Sequence, residues 1–204
     1  MKLLKLKIAI LAIVSCAAGP LFAGELLPVK NCAWCHGTSL QGFAVAPRLA
    51  GQRQQYIVNQ LQRFHAHVRD NFYSRNYMWA ATANVGPELA RELAAYISSL
   101  PPEAAQDGPK ELVAEGRTIY EMGVPDLNVV ACVACHGPRA EGVRQIPRLG
   151  GLSYYYLQRR LQQWQQGFDA AAAPMPRIAR NLSPRQLDAL ASYLSYVSYG
   201  SFER

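Results

Sequence analysis

The stretch "VVACVACHGPRAEG", Val129–Gly142, sets two cysteines and a histidine within five consecutive positions. A second stretch, "KNCAWCHGTSLQG", Lys30–Gly42, has the same arrangement one hundred residues earlier. Elsewhere the 204-residue chain holds only one more cysteine, Cys16. Cysteines three apart on a helical turn project to one side, and a histidine directly after the second is carried nearby. Two such units in one chain imply that both perform the same chemistry.

Laying each residue n over n+100 extends the match well past the two motifs. Cys32, Cys35, His36, Gly37 and Gly42 fall on Cys132, Cys135, His136, Gly137 and Gly142. Pro47-Arg48-Leu49 falls on Pro147-Arg148-Leu149, and Gly51 on Gly151. Tyr56, Leu61 and Phe64 then match Tyr156, Leu161 and Trp164. After a slip of three residues, Met78 matches Met175 and Tyr96 matches Tyr193. The chain is thus two copies of one unit, too few to stack into a solenoid. "SSLPPEAAQDGPK", Ser98–Lys110, has the composition of a linker between them. The expected division is 24–100 for the first unit, 101–108 for the linker and 109–204 for the second.

Helical periodicity recurs in both copies. "QYIVNQLQRF", Gln55–Phe64, and "SYYYLQRRLQQW", Ser153–Trp164, place apolar residues at helical spacing. "PELARELAAYISSL", Pro87–Leu100, pairs with "SPRQLDALASYLSYV", Ser183–Val197, where Ser183 is an N-cap and Pro184 the first helical residue. No segment alternates with period two, so the fold class is all-α.

The N-terminus is a targeting segment. Lys2, Lys5 and Lys7 flank an apolar run from Ile8 to Val14, and Leu21-Phe22-Ala23 before Gly24 suits signal cleavage. The run is short for a bilayer span, which takes about 20 apolar residues. A removed signal peptide over 1–23 is the main reading, with a retained anchor or lipidation of Cys16 in "IVSC" as alternatives. Each places the body of the protein outside the cytoplasm, in the periplasm, and the anchors leave peripheral membrane association open. Half of all residues are apolar and 17% are charged, which fits a globular chain.

C-x-x-C-H is read as a c-type haem attachment site, with two thioether bonds to the macrocycle and the imidazole on the iron. Zinc ribbons also use paired C-x-x-C, but with the pairs about 15–20 residues apart. A thioredoxin-like redox motif needs a βαβ context that is missing here. Two covalently bound haem c groups are therefore the expected cofactors. A sixth iron position remains, and thioether sulfur there raises the potential and closes the iron to ligands. Each copy offers one methionine downstream of its motif, Met78 in "RNYMWAA" and Met175 in "APMPRI", 42 and 39 residues beyond the histidines. Methionine at such positions also serves as core filler. The matched placement favours the ligand role, and Pro174 and Pro176 are expected to keep the Met175 segment stiff and out of a helix.

With these residues in place, the chain resembles the dihaem cytochrome c4 family, carriers built from two class I cytochrome c domains. The resemblance runs over roughly residues 24–198 and rests on "CAWCHG…PRLAGQ…Y…QL" and "ACVACHG…PRLGG…Y…L", followed by the two methionines. It implies tandem domains, each wrapped around one covalently bound haem, with His36 and His136 as proximal and Met78 and Met175 as distal ligands. It further implies that carbonyls at Pro47 and Pro147 orient the imidazoles, and that Arg48 and Arg148 lie near haem propionates. Gly116, Tyr120 and Tyr193 look like the crossing of first and last helices in the second domain. There are departures. Only "GELLPVKN" precedes Cys32 after the signal, so the first domain's opening helix is shortened or absent. His67 stands where the family commonly has glycine, and Asp169 stands opposite Arg69. His65 and His67 are expected to face solvent rather than compete for iron.

Charge argues against nucleic acid. The formal charge of +7 falls to +4 without Lys2, Lys5 and Lys7, and four haem propionates would largely cancel the rest. Residues 24–100 carry seven bases against four acids, and 101–204 eleven against ten, a mild asymmetry that suits brief electrostatic docking. The expected function is electron transfer, without conversion of a substrate. Partners would be redox proteins: a membrane quinol-oxidising complex or dehydrogenase on one side and an oxidase on the other. The alternatives are a dihaem subunit of a larger flavocytochrome-type or alcohol dehydrogenase, and, less favoured, a dihaem peroxidase. Two usable methionines and the modest length weigh against a peroxidase.

Overall fold

The computed structural model describes residues 29–42 and 46–198. The signal segment, Cys16 and the expected shortening of the first helix lie outside the described residues. In the first domain, α1 (Val29–His36) carries the first C-x-x-C-H motif, followed by α2 (Gln54–His65), a π-helical turn (Ser74–Met78), α3 (Trp79–Thr82) and α4 (Pro87–Ser99). In the second, a 3-10 turn leads into α5 (Val113–Met122), then come α6 (Val133–His136) with the second motif, α7 (Tyr154–Gln165), α8 (Met175–Ala179) and α9 (Pro184–Tyr196). Strand-like pairing among the described residues amounts to isolated bridges, as at Val124 with Val129.

The helices form where periodicity and end signals agree. On α2, Ile57 and Phe64 point inward, seven residues apart on one stripe. On α9, Leu187, Leu190 and Leu194 do the same. Ser183 caps α9: its Oγ accepts from Gln186 N at 3.2 Å, while Gln186 Oε1 accepts from Ser183 N at 2.8 Å. That reciprocal pair is a capping box. The N-terminus of α7 is served differently, because Asp107 from the linker accepts from Tyr154 N at 2.8 Å and from Ser153 Oγ at 2.7 Å.

α5 and α9 cross closely at Gly116. A Cβ there would lie 1.9 Å from Ala189 O and 2.8 Å from Tyr193 Cβ, so only glycine admits this approach. Tyr120, fully buried one turn later, sends its hydroxyl to Gly137 O at 2.5 Å and ties the crossing to the second motif.

The stretch 101–108 is not a loose tether. Pro102 packs on Gly51, Ala105 N donates to Gly151 O at 3.1 Å, and Gln106 N donates to Ser195 O at 2.9 Å. Proline and polar residues here make an extended strap whose backbone is satisfied by the domains it joins. The domains also meet directly. The buried side chain of Gln52 makes a reciprocal pair with the backbone of Arg148, accepting from its N at 2.7 Å and donating to its O at 2.9 Å. Arg148 Nη2 donates back to Ala50 O at 2.8 Å, and Arg53 Nε to Glu141 O at 2.6 Å.

One local expectation is corrected. The Met175 segment, which Pro174 and Pro176 were expected to exclude from a helix, opens α8. Pro174 is the N-cap and Pro176 sits in the first turn, where a missing N–H costs nothing and a fixed φ suits the helix.

Gly116→Ala should destabilise the second domain by about 3 kcal/mol, the upper end for overpacking, because the clash is with backbone. Gly86→Ala, with nothing within 4 Å of the added carbon, should cost under about 1 kcal/mol. Ser183→Ala should cost about 1 kcal/mol through loss of the cap. Urea unfolding of the three variants beside the parent checks all of these.

Candidate functional site: two matched haem-binding loops

The two C-x-x-C-H loops are built bond for bond alike. Gly42 N donates to His36 O at 2.8 Å, and Gly142 N to His136 O at 2.8 Å. Leu40 N meets Gly37 O at 3.0 Å, and Ala140 N meets Gly137 O at 3.0 Å. Leu49 N and Leu149 N each return to the carbonyl of that same residue 40 or 140 at 2.8 Å. Gly42 is required because its φ is +81° and a Cβ would lie 2.8 Å from both Ala46 O and Arg48 N.

Each loop buries one imidazole. His36 and His136 are 5% and 6% exposed. Their Nδ1 atoms sit 2.8 Å from Pro47 O and 3.0 Å from Pro147 O. A carbonyl can only accept, so Nδ1 carries the proton and Nε2 keeps its lone pair. Burial holds both rings below the usual imidazole range, and the proline carbonyls offset this only in part. Neutral imidazole is the form that binds a metal.

The cysteines fit thioether attachment better than the alternatives. All four are free of disulfides. Burial raises the Cys32 thiol and pushes Cys132 up to about 11. A redox-active or metal-binding cysteine needs the opposite shift. Among the described residues no group of three or more His, Cys, Asp or Glu could hold a metal ion.

Two further observations fit a large apolar group with acidic edges in each domain. The fully buried apolar cluster of the first domain is small, comprising Leu40, Ala50, Ile57, Leu93, Ala94 and Ile97 among the described residues. So small a core leaves a unit of this length short of apolar burial unless a cofactor completes it. In the second domain Trp164 Nε1 is buried with no hydrogen-bond partner from the protein. An acceptor supplied by a bound group would satisfy it.

The methionine segments are held by different means. Met78 ends the π-helical turn, and the adjoining Trp79 donates its Nε1–H to Arg69 O at 2.9 Å. Thr82 Oγ1 donates to Met78 O at 2.7 Å. His67 stacks on Trp79 with ring centroids 4.1 Å apart, and His65 Nδ1 lies 3.0 Å from Thr82 O. Both histidines are exposed and belong to the scaffold around Met78. Met175 is half-buried against the second core. His67 has φ 58° and its counterpart Gly167 φ +85°, so one left-handed position explains the glycine preference there.

The arginines of the two Pro-Arg-Leu triplets differ. Arg48 Nη1 reaches Gln41 Oε1 at 3.3 Å. Arg148 is 2% exposed and gives its terminal nitrogens to Gly150 O and Ala50 O, which places it in the domain interface. Sequence reasoning did not anticipate Gln52, Asp107 or the unpaired Trp164 N–H. For Trp164 a signal existed, the replacement of Phe64 by a ring that can donate.

A profile of the cytochrome c family matches residues 23–101 and 113–198. The thiosulfate dehydrogenase electron acceptor of Stutzerimonas stutzeri is 35% identical over 173 residues, covering 81% of this chain and 78% of its own. Cytochrome c4 of Azotobacter vinelandii is 30% identical over 189 residues, covering 87% of this chain and 89% of its own. The solved cytochrome c4 of Acidithiobacillus ferrooxidans superimposes with a TM-score of 0.77 at 30% identity, covering 81% of this chain and 98% of its own. With the two loops in matching register, these likenesses establish that the chain belongs to the cytochrome c family, as an electron-transfer protein of the dihaem cytochrome c4 type with two covalently bound haem c groups.

Proposed function

We propose that this protein is a periplasmic relay whose two haem irons are each ligated by one histidine and one methionine from the same domain. A haem iron in such a site carries one electron by passing between the ferric and ferrous states. Cys32 and Cys35, with Cys132 and Cys135, hold the two macrocycles through thioether bonds. His36 and His136 present Nε2 to the iron, while the carbonyls of Pro47 and Pro147 fix ring orientation and burial keeps the imidazoles neutral. Met78 and Met175 close the opposite faces. The observation that carries this reading is the duplicate loop geometry together with a single methionine at the matched place in each copy. The propionate role suits Arg48, whereas the donors of Arg148 serve the interface. The domain limits 24–100 and 109–204, joined by the strap 101–108, follow the same repeat.

The partners are redox proteins, and a membrane quinol-oxidising complex or dehydrogenase as donor with an oxidase as acceptor is the main reading. A dehydrogenase as the immediate donor has its own support, because one relative at 35% identity is named for accepting electrons from thiosulfate dehydrogenase. Stopped-flow mixing with purified thiosulfate dehydrogenase and thiosulfate decides between them. Rapid reduction of both haems selects the dehydrogenase, and failure there with rapid reduction by a quinol-oxidising complex selects the respiratory chain.

The ligand assignment has a direct test. The reduced parent protein should not bind carbon monoxide without denaturation. Met78→Ala and Met175→Ala should each open one haem per chain to carbon monoxide, and the double variant both. Each single variant should also lower one midpoint potential, since loss of thioether sulfur removes the ligand that raises it. Carbon monoxide binding to the unaltered protein would refute the assignment.

A further inference from the structure

Where the repeat places Arg69 in the first domain it places Asp169 in the second, and the two residues are buried in one cluster. Asp169 is 2% exposed and is the only buried carboxylate among the described residues. Its two oxygens receive Arg63 from the first domain and Arg160 from the second. Its backbone N donates to Asp70 Oδ1 at 3.1 Å, again across the interface. Arg69 lies in the same field: it donates to Gln60 Oε1 at 2.8 Å, reaches Tyr156 Oη at 3.5 Å and stacks on Phe64 at 4.7 Å. Arg160 stacks on Trp164 at 4.5 Å, and Arg159 on Tyr73 at 4.0 Å. Burial raises the Tyr156 phenol, but Arg69, Arg160 and Arg159 outweigh it and bring it below the usual range, whereas burial pushes the neighbouring Tyr56 up.

We infer that Asp169 is a positioning residue for electron transfer: a buried negative charge that binds one arginine from each domain and lowers the potentials of the two haems. Arg63, Arg69, Arg159 and Arg160 lie in this cluster, and Asp169 is the buried carboxylate that binds two of them. Sequence distance keeps it close to the second redox centre, five residues after Trp164 and six before Met175. Its contact with Arg63, next to Phe64, carries it to the wall of the first domain. A negative charge stabilises ferric over ferrous iron, and the effect is strong where water is excluded. Removing one buried charge, at an effective dielectric of about 20, should shift the oxidised-to-reduced ratio at fixed applied potential toward the reduced form by roughly tenfold. The inference rests on each domain holding one low-spin haem.

The test is a spectroelectrochemical titration of the holoprotein and two variants, read as the sum of the two midpoint potentials. Asp169→Asn keeps the shape and removes the charge, so the sum should rise. Arg63→Gln installs the residue that the repeat has at position 163 and removes a cation from a partly exposed site, so the sum should fall. A purely structural role would not give shifts of opposite sign. Should Asp169→Asn fail to fold, Arg63→Gln decides alone: a fall supports the inference and no change overturns it. Unaltered sums in folded variants overturn it as well. Low-spin spectra of both haems in each variant show that the axial ligands are intact, which separates failure here from failure of the ligand assignment.

Discussion

A buried imidazole whose Nδ1–H is held by a proline carbonyl is the contact on which the rest of this protein depends. It sets the tautomer and fixes the ring's orientation, leaving Nε2 with its lone pair, while burial keeps the ring neutral. The loop from the motif to that proline is wound tightly enough that glycine is needed at its corner. The two cysteines share a helical turn with the histidine, so one short segment fixes three attachment points. The remaining helices enclose what that segment holds. The small apolar cluster of the first domain fits these terms, because a macrocycle held there would complete the core.

The two copies keep this device and vary nearly everything around it. Tyr120 braces the second motif from α5, and its counterpart by the repeat, position 20, lies outside the described residues. Trp79 and His67 brace the segment of Met78, whereas Met175 opens a helix started by two prolines. Arg48 stays within its own domain while Arg148 reaches across to Ala50. Two haems in such different surroundings meet different electrostatic environments.

Much of this was legible in the residues. The motifs, the hundred-residue register and the 3.6-residue periodicity lead to an all-α pair of domains. Ser183 and Pro184 mark the start of α9 because capping is a local interaction between residues three apart. Gly116 was legible too, since close helix approach demands a missing side chain. The domain interface was not. Gln52, Asp107 and Asp169 act on partners 46 to 106 residues away, and nothing local in the chain distinguishes them from surface polar residues. The swap of Arg69 for Asp169 was visible as an oddity of the repeat, but its meaning needed the two domains in contact. Prolines at 174 and 176 misled for a different reason. Proline excludes a helix interior yet favours a helix start, and composition alone does not say which end is meant.

The central claim is that each domain supplies both axial groups to its own haem. Magnetic circular dichroism of the oxidised protein, extended into the near infrared and quantified per chain, tests it most directly. Two low-spin haems, each with the charge-transfer signature of sulfur on iron, is the predicted result. A high-spin component, or a haem with nitrogen on both faces, would contradict it.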